Sequence, residues 1–472
     1  MSSSVIRSTA LLLGPLAGLL VYALCAGSAG LSAEASVTAG VTMLCAVWWC
    51  TEAIPIPATA LIPFAVFPFA GVLDHGQLAV AYGDKFVLLF MAGFMLSRAA
   101  ERSGTHLQVA HGVMRLVGAG SPRRVVVGFM LATAFCSMWI SNTATALIML
   151  PVAMAVIERS SQEDEGFSVS LLLAIAYGAS IGGMATLVGT PPNGVLAAVY
   201  ETSTDRTMDF LSWMTIGTPV SVLMLVACAL VLCWNLRSDQ DLRVDRPGYW
   251  TPGQWRVLLV LGLTAAGWIT RSLPFGLGGW SVWLEMPMAH DATVGLLAVV
   301  AMFLIPAGGE AGRGKKLLDW ETAAKIPWGV LILFGGGLAL AKAFVVTGLD
   351  GTIGEALAGL GGYPTVVVIG GVCLSVTFLT ELTSNTATTT LLMPIVASLA
   401  VEMGYDPLML MVPAALSASC AFMLPVATPP NAIVFGGSER LTIGRMARKG
   451  LVLNLIGVVV ITVMCSWVLN LG

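Results

Sequence analysis

Apolar stretches recur from one end of this chain to the other, and no water-soluble core has room for all of them. They run over about 9–27, 37–50, 56–72, 85–103, 125–157, 168–200, 211–235, 255–272, 291–306, 327–347, 363–401, 406–436 and 450–470. Of the 472 residues, 57% are hydrophobic and 10% charged, where a soluble domain has about 25% charged. A bilayer accepts such a chain, because each crossing takes roughly 20 mostly apolar residues. The opening stretch imitates a signal peptide, with Arg7 ahead of the apolar run Ala10–Ala26. The run is long enough to span and more apolar segments follow, so it reads as a retained first helix.

Two stretches, 125–157 and 363–401, are too long for one crossing and carry Ser, Asn and Thr near their middles. Each reads as a re-entrant hairpin, whose non-helical tip is tolerable only under a cover of protein or in a watery cavity. Setting them aside leaves eleven crossings. With the N-terminus in the cytoplasm, nineteen Lys and Arg then fall on the cytoplasmic side, and Lys85, Arg206, Arg271 and Lys342 fall on the other side or its edge. That asymmetry fits the positive-inside rule. The net charge is −3 with no basic block, so nucleic acid is not an expected partner.

The chain also repeats itself. Ser141-Asn142-Thr143-Ala144-Thr145 returns as Ser384-Asn385-Thr386-Ala387-Thr388, 243 residues on. Thr190-Pro191-Pro192-Asn193 returns as Thr428-Pro429-Pro430-Asn431 after 238, and Phe90-Met91-Ala92-Gly93 is echoed by Phe334-Gly335-Gly336-Gly337 after 244. Three landmarks in one order at nearly one offset indicate a duplicated unit. In the topology above, the two units enter the membrane from opposite sides. Inverted repeats with broken helices are the signature of secondary transporters, with binding near the midplane.

The Ser-Asn-Thr triplets place hydroxyls and an amide in apolar surroundings, where unpaired polar groups cost several kcal/mol each, on the order of 2–7. Their oxygens suit hard cations, and their N–H and O–H groups suit carboxylates. One triplet alone is equally well read as glue between helices; two in matched places are not. The Thr-Pro-Pro-Asn motifs interrupt two further apolar stretches, because proline lacks the N–H and clashes with the preceding turn. Such a break frees carbonyls on one half-helix and N–H groups on the other, which attract cations and anions respectively. Gly178, Gly182, Gly183 and Gly189 precede the first break, and Gly436 and Gly437 follow the second.

Other polar residues carry less. Glu52 reads as a structural residue near a membrane surface or a helix N-terminus. Glu381, three residues before Ser384, reads as support for the hairpin, since a free carboxylate would repel an anion. The nine cysteines lie singly and read as small buried hydrophobes. The histidines His75, His106, His111 and His290 form no metal or catalytic pattern. No Lys or Arg is expected near the triplets, so an anionic solute needs bound cations and helix dipoles to balance it. Neither an enzyme's nucleophile–base pair nor a resident metal is expected.

These motifs resemble the divalent anion–sodium symporter family, which includes INDY-type dicarboxylate carriers. The resemblance covers essentially the whole chain. It rests on Trp48-Trp49-Cys50-Thr51-Glu52-Ala53-Ile54-Pro55, on both triplets and both breaks, and on Ala418–Val434 (Ala-Ser-Cys-Ala-Phe-Met-Leu-Pro-Val-Ala-Thr-Pro-Pro-Asn-Ala-Ile-Val). It implies a homodimer of elevator-type protomers. It implies one sodium at Ser137, Ser141, Asn142 and Gly189, and another at Thr380, Thr383, Asn385 and Ala427. It implies that substrate carboxylates meet Asn142, Thr143, Asn385, Thr386 and Thr428 beside Pro429.

The expectation is an all-α polytopic protein of about eleven transmembrane helices and two re-entrant hairpins. N-terminal scaffold helices occupy 1–84, the first repeat 85–236, connecting helices 237–326 and the second repeat 327–472. The expected activity is sodium-coupled symport of C4-dicarboxylates (succinate, fumarate, malate) across a bacterial plasma membrane, without an organic cofactor and amid membrane lipid. The alternatives are sodium-independent dicarboxylate exchange, or a citrate or sulfate carrier of the same fold.

Overall fold

The computed structural model describes residues 3–27, 31–118, 120–159, 165–236, 248–273, 277–309, 312–357, 359 and 362–469. Among them are helices and two isolated β-bridges, Leu273 with Gly278 and Pro306 with Lys316, but no strand. Arg237, Arg243 and Arg246, three of the cytoplasmic basic residues, lie outside the described residues, as does the start of the connecting segment 237–326.

The first helices, α1 (Ser3–Ala26) and α2 (Ala33–Thr51), pack as an antiparallel pair. Glycine sets their distance: a Cβ on Gly18 would lie 2.8 Å from Gly40 O, and one on Gly40 2.9 Å from Gly18 O. Small residues at such a crossing let backbones touch. Short helices α3 (Ile56–Thr59), α4 (Ile62–Val66) and α5 (His75–Tyr82) lead to α6 (Lys85–Ser103). Asp84 caps α6, its carboxylate accepting from Phe86 N–H at 2.7 Å.

From α6 the order is α7 (Thr105–Val117), α8 (Pro122–Ser137), α9 (Asn142–Arg159), α10 (Glu165–Gly183), α11 (Pro191–Thr204) and α12 (Phe210–Cys233). A connecting group follows: α13 (Pro252–Thr270), α14 (Trp280–Trp283), α15 (Asp291–Leu304) and α16 (Trp320–Ala323). Then α17 (Trp328–Thr347), α18 (Leu349–Leu357), α19 (Thr365–Thr380), α20 (Asn385–Glu402), α21 (Leu408–Ala418), α22 (Pro429–Gly436) and α23 (Ile443–Val468) run in the same order as α6 to α12. The match is close where the triplets lie: α8 and α19 each have 16 residues, α9 and α20 each 18.

Both over-long apolar stretches are helical hairpins, turning at Met138–Ser141 and at Glu381–Ser384. The Pro-Pro motifs act differently from the sequence expectation. They do not stop α10 and α21, which end earlier, at Gly183 and Ala418; they start α11 and α22. Thr190 and Thr428 are the N-caps, both extended, at φ −146° and −141°, with the prolines at the first two helical positions. Proline is at home there because its missing N–H would find no helical partner anyway. The breaks are therefore several residues wide.

Seven helical stretches among the described residues are long and apolar enough to cross a membrane: in α1, α2, α5–α6, α10, α12, α17 and α23. α10 is as apolar as a lipid-facing helix but lies in the middle of the protein, with 94% of its apolar window buried. Six cysteines are buried as expected, while Cys50 is exposed.

Candidate transport site

The two hairpin tips have the same wiring. In the first, the Ser137 hydroxyl lies 2.6 Å from Asn142 Oδ1 and 2.7 Å from Ala179 O on α10. In the second, the Thr380 hydroxyl lies 2.7 Å from Asn385 Oδ1 and 3.0 Å from Ala418 O on α21. A hydroxyl has one hydrogen to donate. Each tip therefore gathers three oxygens around a single hydrogen, an excess of lone pairs that suits a hard cation. Gly183 completes the first cluster: a Cβ there would stand 2.8 Å from Asn142 Oδ1 and 3.2 Å from Gly189 O. Only glycine admits those oxygens so close to the backbone.

The breaks are stapled by their own asparagines. Asn193 Nδ2 donates to Gly183 O (3.0 Å) and Thr186 O (2.8 Å). Asn431 Nδ2 donates to Ala421 O and Leu424 O, both at 3.0 Å. Each amide thus satisfies two carbonyls that the break frees, as buried backbone groups require. Both Asn Oδ1 atoms, and the matched hydroxyls of Ser180 and Ser419, are buried without a hydrogen-bond partner among the described residues. Sequence reading gave these asparagines no part beyond marking the repeat.

A single cavity of about 1290 Å³ joins the tips. Its walls include Ser141, Asn142 and Thr143 from one hairpin, Thr383, Asn385 and Thr386 from the other, and Gly189, Ala427, Thr428 and Pro429 from the breaks. Ser137 and Thr380 are fully buried behind the walls and reach the site through the asparagines. Every expected site residue is thus in the cavity wall or one hydrogen bond behind it. Thr383, in the turn, is tied to both arms of its hairpin, donating to Leu379 O of α19 at 2.9 Å and lying 2.6 Å from the Thr388 hydroxyl of α20.

The expectation that no Lys or Arg lies near the triplets is not met, because the fold brings part of α6 into the same cavity wall. Arg98, Glu101 and Arg102 of α6 line it, with Glu52. Both guanidiniums are engaged: Arg98 with Glu101 at 2.7 Å and Arg102 with Asp319 at 2.6 Å. Ser141 N–H donates to Ser97 Oγ over 3.5 Å, and Ser97 Oγ donates to Glu101 Oε1 at 3.1 Å, so the first tip reaches this charged cluster. The spacing of α6, hydrophobic at most positions, gives no hint of the tip it faces. Glu52 caps the C-terminus of α2 in the left-handed conformation (φ 48°), not a helix N-terminus. Among the described residues no group of three or more His, Cys, Asp or Glu is placed to hold a metal.

Two matched hairpin tips and two broken helices around one cavity, in a chain with several membrane-length helices, define a multi-pass membrane transporter. The family described as citrate transporter (CitMHS) matches residues 46–410. The chain belongs to that family, a group of transporters of the divalent anion–sodium symporter type that its motifs resemble. It is 40% identical to a sodium-dependent dicarboxylate transporter, SdcS, of Staphylococcus saprophyticus, over 96% of this chain and 89% of that one. It is 39% identical to the SdcS of Staphylococcus aureus, over 97% and 90%. In fold it is similar to the Alcanivorax borkumensis YdaH transporter, with a TM-score of 0.64 and 17% identity over 92% of this chain and 99% of that one. Neisseria gonorrhoeae MtrF gives a TM-score of 0.58 and 14% identity over 87% and 85%.

Proposed function

We propose that this protein is a sodium-coupled symporter of C4-dicarboxylates such as succinate, fumarate and malate. The observation that carries this reading is the pair of oxygen-rich clusters, Ser137–Asn142–Ala179 and Thr380–Asn385–Ala418, set behind one cavity. One sodium sits with Ser137, Ser141, Asn142 and Gly189, the other with Thr380, Thr383, Asn385 and Ala427. The dicarboxylate lies between, its carboxylates taken by Asn142, Thr143, Asn385, Thr386 and Thr428 beside Pro429. The asparagine oxygens face the cations while their NH₂ groups face the anion. The names of the SdcS relatives support both solutes.

In this reading the hairpins α8–α9 and α19–α20 are re-entrant. The eleven crossings are α1, α2, α3–α5, α6, α10–α11, α12, α13, α15, α17, α21–α22 and α23. The domain layout is residues 1–84 as scaffold, 85–236 and 327–472 as inverted repeats, and 237–326 as connection. The protein works as a homodimer in the plasma membrane with its N-terminus in the cytoplasm. The hairpins and broken helices move together as an elevator against the scaffold. The basic asymmetry of the loops supports the orientation.

Reconstituted protein tests the proposal. Radiolabelled succinate enters proteoliposomes when sodium is outside and fails to enter when choline replaces it. Linkage requires sodium and succinate to raise each other's affinity by one factor. Equal succinate affinity by calorimetry in sodium and in choline would overturn symport and favour an exchanger. A second reading, citrate carriage, is favoured by the family's description. Citrate competing better than succinate would select it, and sulfate serves as the third competitor.

A further inference from the structure

The two breaks are each held at one matched carbonyl, by donors of different origin. Counted back from its asparagine, the ninth residue is Met184 in the first break and Phe422 in the second. Met184 O accepts from Trp213 Nε1 at 2.9 Å. Trp213 lies on α12, so the first break is fastened from within its own repeat. Phe422 O accepts from the Tyr177 hydroxyl at 2.8 Å, and that hydroxyl also lies 3.4 Å from Met446 O of α23. Tyr177 lies on α10, so the second break is fastened from the opposite repeat. The reverse connection has no donor at the matching place. Two residues before the matched Ala179 and Ala418 stand Tyr177 and Leu416, and a leucine side chain donates no hydrogen bond.

Tyr177 is fully buried and absent from the cavity wall. Its ring meets Phe422 edge-on, with centroids 5.0 Å apart at 62°. A buried phenol hydroxyl takes a hydrogen-bond partner, and Phe422 O is the near one. Two residues along α10, Ala179 O accepts from Ser137 in the first oxygen cluster. Four residues before Phe422, Ala418 O accepts from Thr380 in the second. One short path therefore joins the clusters, from Ala179 through Tyr177 and Phe422 to Ala418. Its first step lies within a single helix and its last runs from the end of α21 into the break. Close-packed interiors transmit small displacements along such a path.

We propose that Tyr177 is a positioning residue that couples the two cation sites. Its hydroxyl ties the second break to α10, so that ordering the oxygens of one site helps to order those of the other. It touches neither sodium nor substrate. Linkage makes the effect reciprocal: each sodium raises the affinity of the other site by the same factor. This inference rests on the sodium-coupled reading above.

The test titrates sodium, without succinate, into purified wild-type protein, Tyr177→Phe and Trp213→Phe, and follows intrinsic tryptophan fluorescence. Trp139 stands in the turn of the first hairpin and reports on that tip. A probe of one site gives a Hill coefficient of about one unless a second site is coupled to it. Wild-type protein should exceed one. Tyr177→Phe keeps the ring and loses the hydroxyl, so its coefficient should fall to about one. For two like sites coupled ten-fold, half-saturating sodium should also rise about three-fold. Trp213→Phe removes the matched hydrogen bond within one repeat and should keep the wild-type coefficient. A merely structural role would move both variants alike, so an equal loss in both overturns the proposal. So does a wild-type coefficient of one, or a Tyr177→Phe coefficient equal to wild type. Should Tyr177→Phe not purify as folded protein, Gly450→Ala decides from the acceptor side, because an added Cβ there would overlap Phe422 O. A coefficient near one then upholds the coupling, and the wild-type value overturns it. Sodium that alters neither fluorescence nor succinate uptake in wild-type protein would sink the symport reading itself, a separate result.

Discussion

Ser137 and Asn142 end one helix and begin the next, and their side-chain oxygens meet at 2.6 Å across the turn between them. Thr380 and Asn385 repeat the relationship at 2.7 Å. In each pair the helix-ending hydroxyl fixes the amide that opens the following helix. Both asparagines also line the cavity. This geometry makes the two asparagines the most sensitive points of the site.

Asn142→Asp and Asn385→Asp are each expected to abolish succinate uptake while leaving expression and folding intact. An ionised Asp has no donor for a carboxylate and adds a repelling charge. Uptake kinetics of both purified variants check this; near-normal transport by both would return the triplets to a packing role.

Thr143→Ala and Thr386→Ala remove a hydroxyl from the cavity wall. A hydrogen bond to a charged group contributes about 1.5–3 kcal/mol. Apparent succinate affinity should fall roughly ten- to a hundred-fold, with sodium-dependent thermal stabilisation largely retained. An unchanged apparent affinity would take these threonines out of the anion's reach.

Gly183→Ala should damage the first cation cluster selectively. The added Cβ would stand 2.8 Å from Asn142 Oδ1, closer than atoms rest in a packed interior. Sodium activation should shift to at least ten-fold higher concentration, while the protein still elutes as a folded species. A wild-type sodium curve would show that Asn142 can retreat without loss.

Asn193→Ala and Asn431→Ala each withdraw two hydrogen bonds from buried carbonyls. Leaving such groups unsatisfied costs about 1–3 kcal/mol. Thermal melting in detergent should show both variants destabilised. Melting at the wild-type temperature would mean that something else satisfies the break.

Single cysteines at Leu116 and Tyr363 test the membrane orientation, since both positions are exposed, at 89% and 59%. On a cysteine-free background, an impermeant thiol reagent should label Leu116→Cys only from the cytoplasm and Tyr363→Cys only from outside. Labelling of both from one side contradicts the inverted arrangement.

Much of the architecture is local information, and so was readable in the chain. The apolar run over 85–103 coincides with α6, and Asp84 caps it. The polar interruptions at Ser141 and Ser384 fall at hairpin turns, and the helices around them repeat in order and length. Hydrophobic runs, Pro-Pro pairs and repeated motifs constrain a few neighbouring dihedrals or mark duplication, which one strand of sequence records directly. The width of each break was not readable, because it depends on side chains beyond it: Asn193 reaches back to Gly183 at the end of α10, and Asn431 to Ala421 and Leu424 within the break after α21.

The sequence by itself determined a helical membrane chain, its duplication, and the residues at its two polar tips. Tertiary structure alone decided that triplets 243 residues apart share one cavity, and that Arg98 and Arg102 share it too, already paired. It alone decided that Glu381 turns from the cavity to three backbone N–H groups some forty residues on. Which partner meets a buried polar group depends on how distant helices pack. Local pattern states that a partner is needed; only the packed fold supplies its identity.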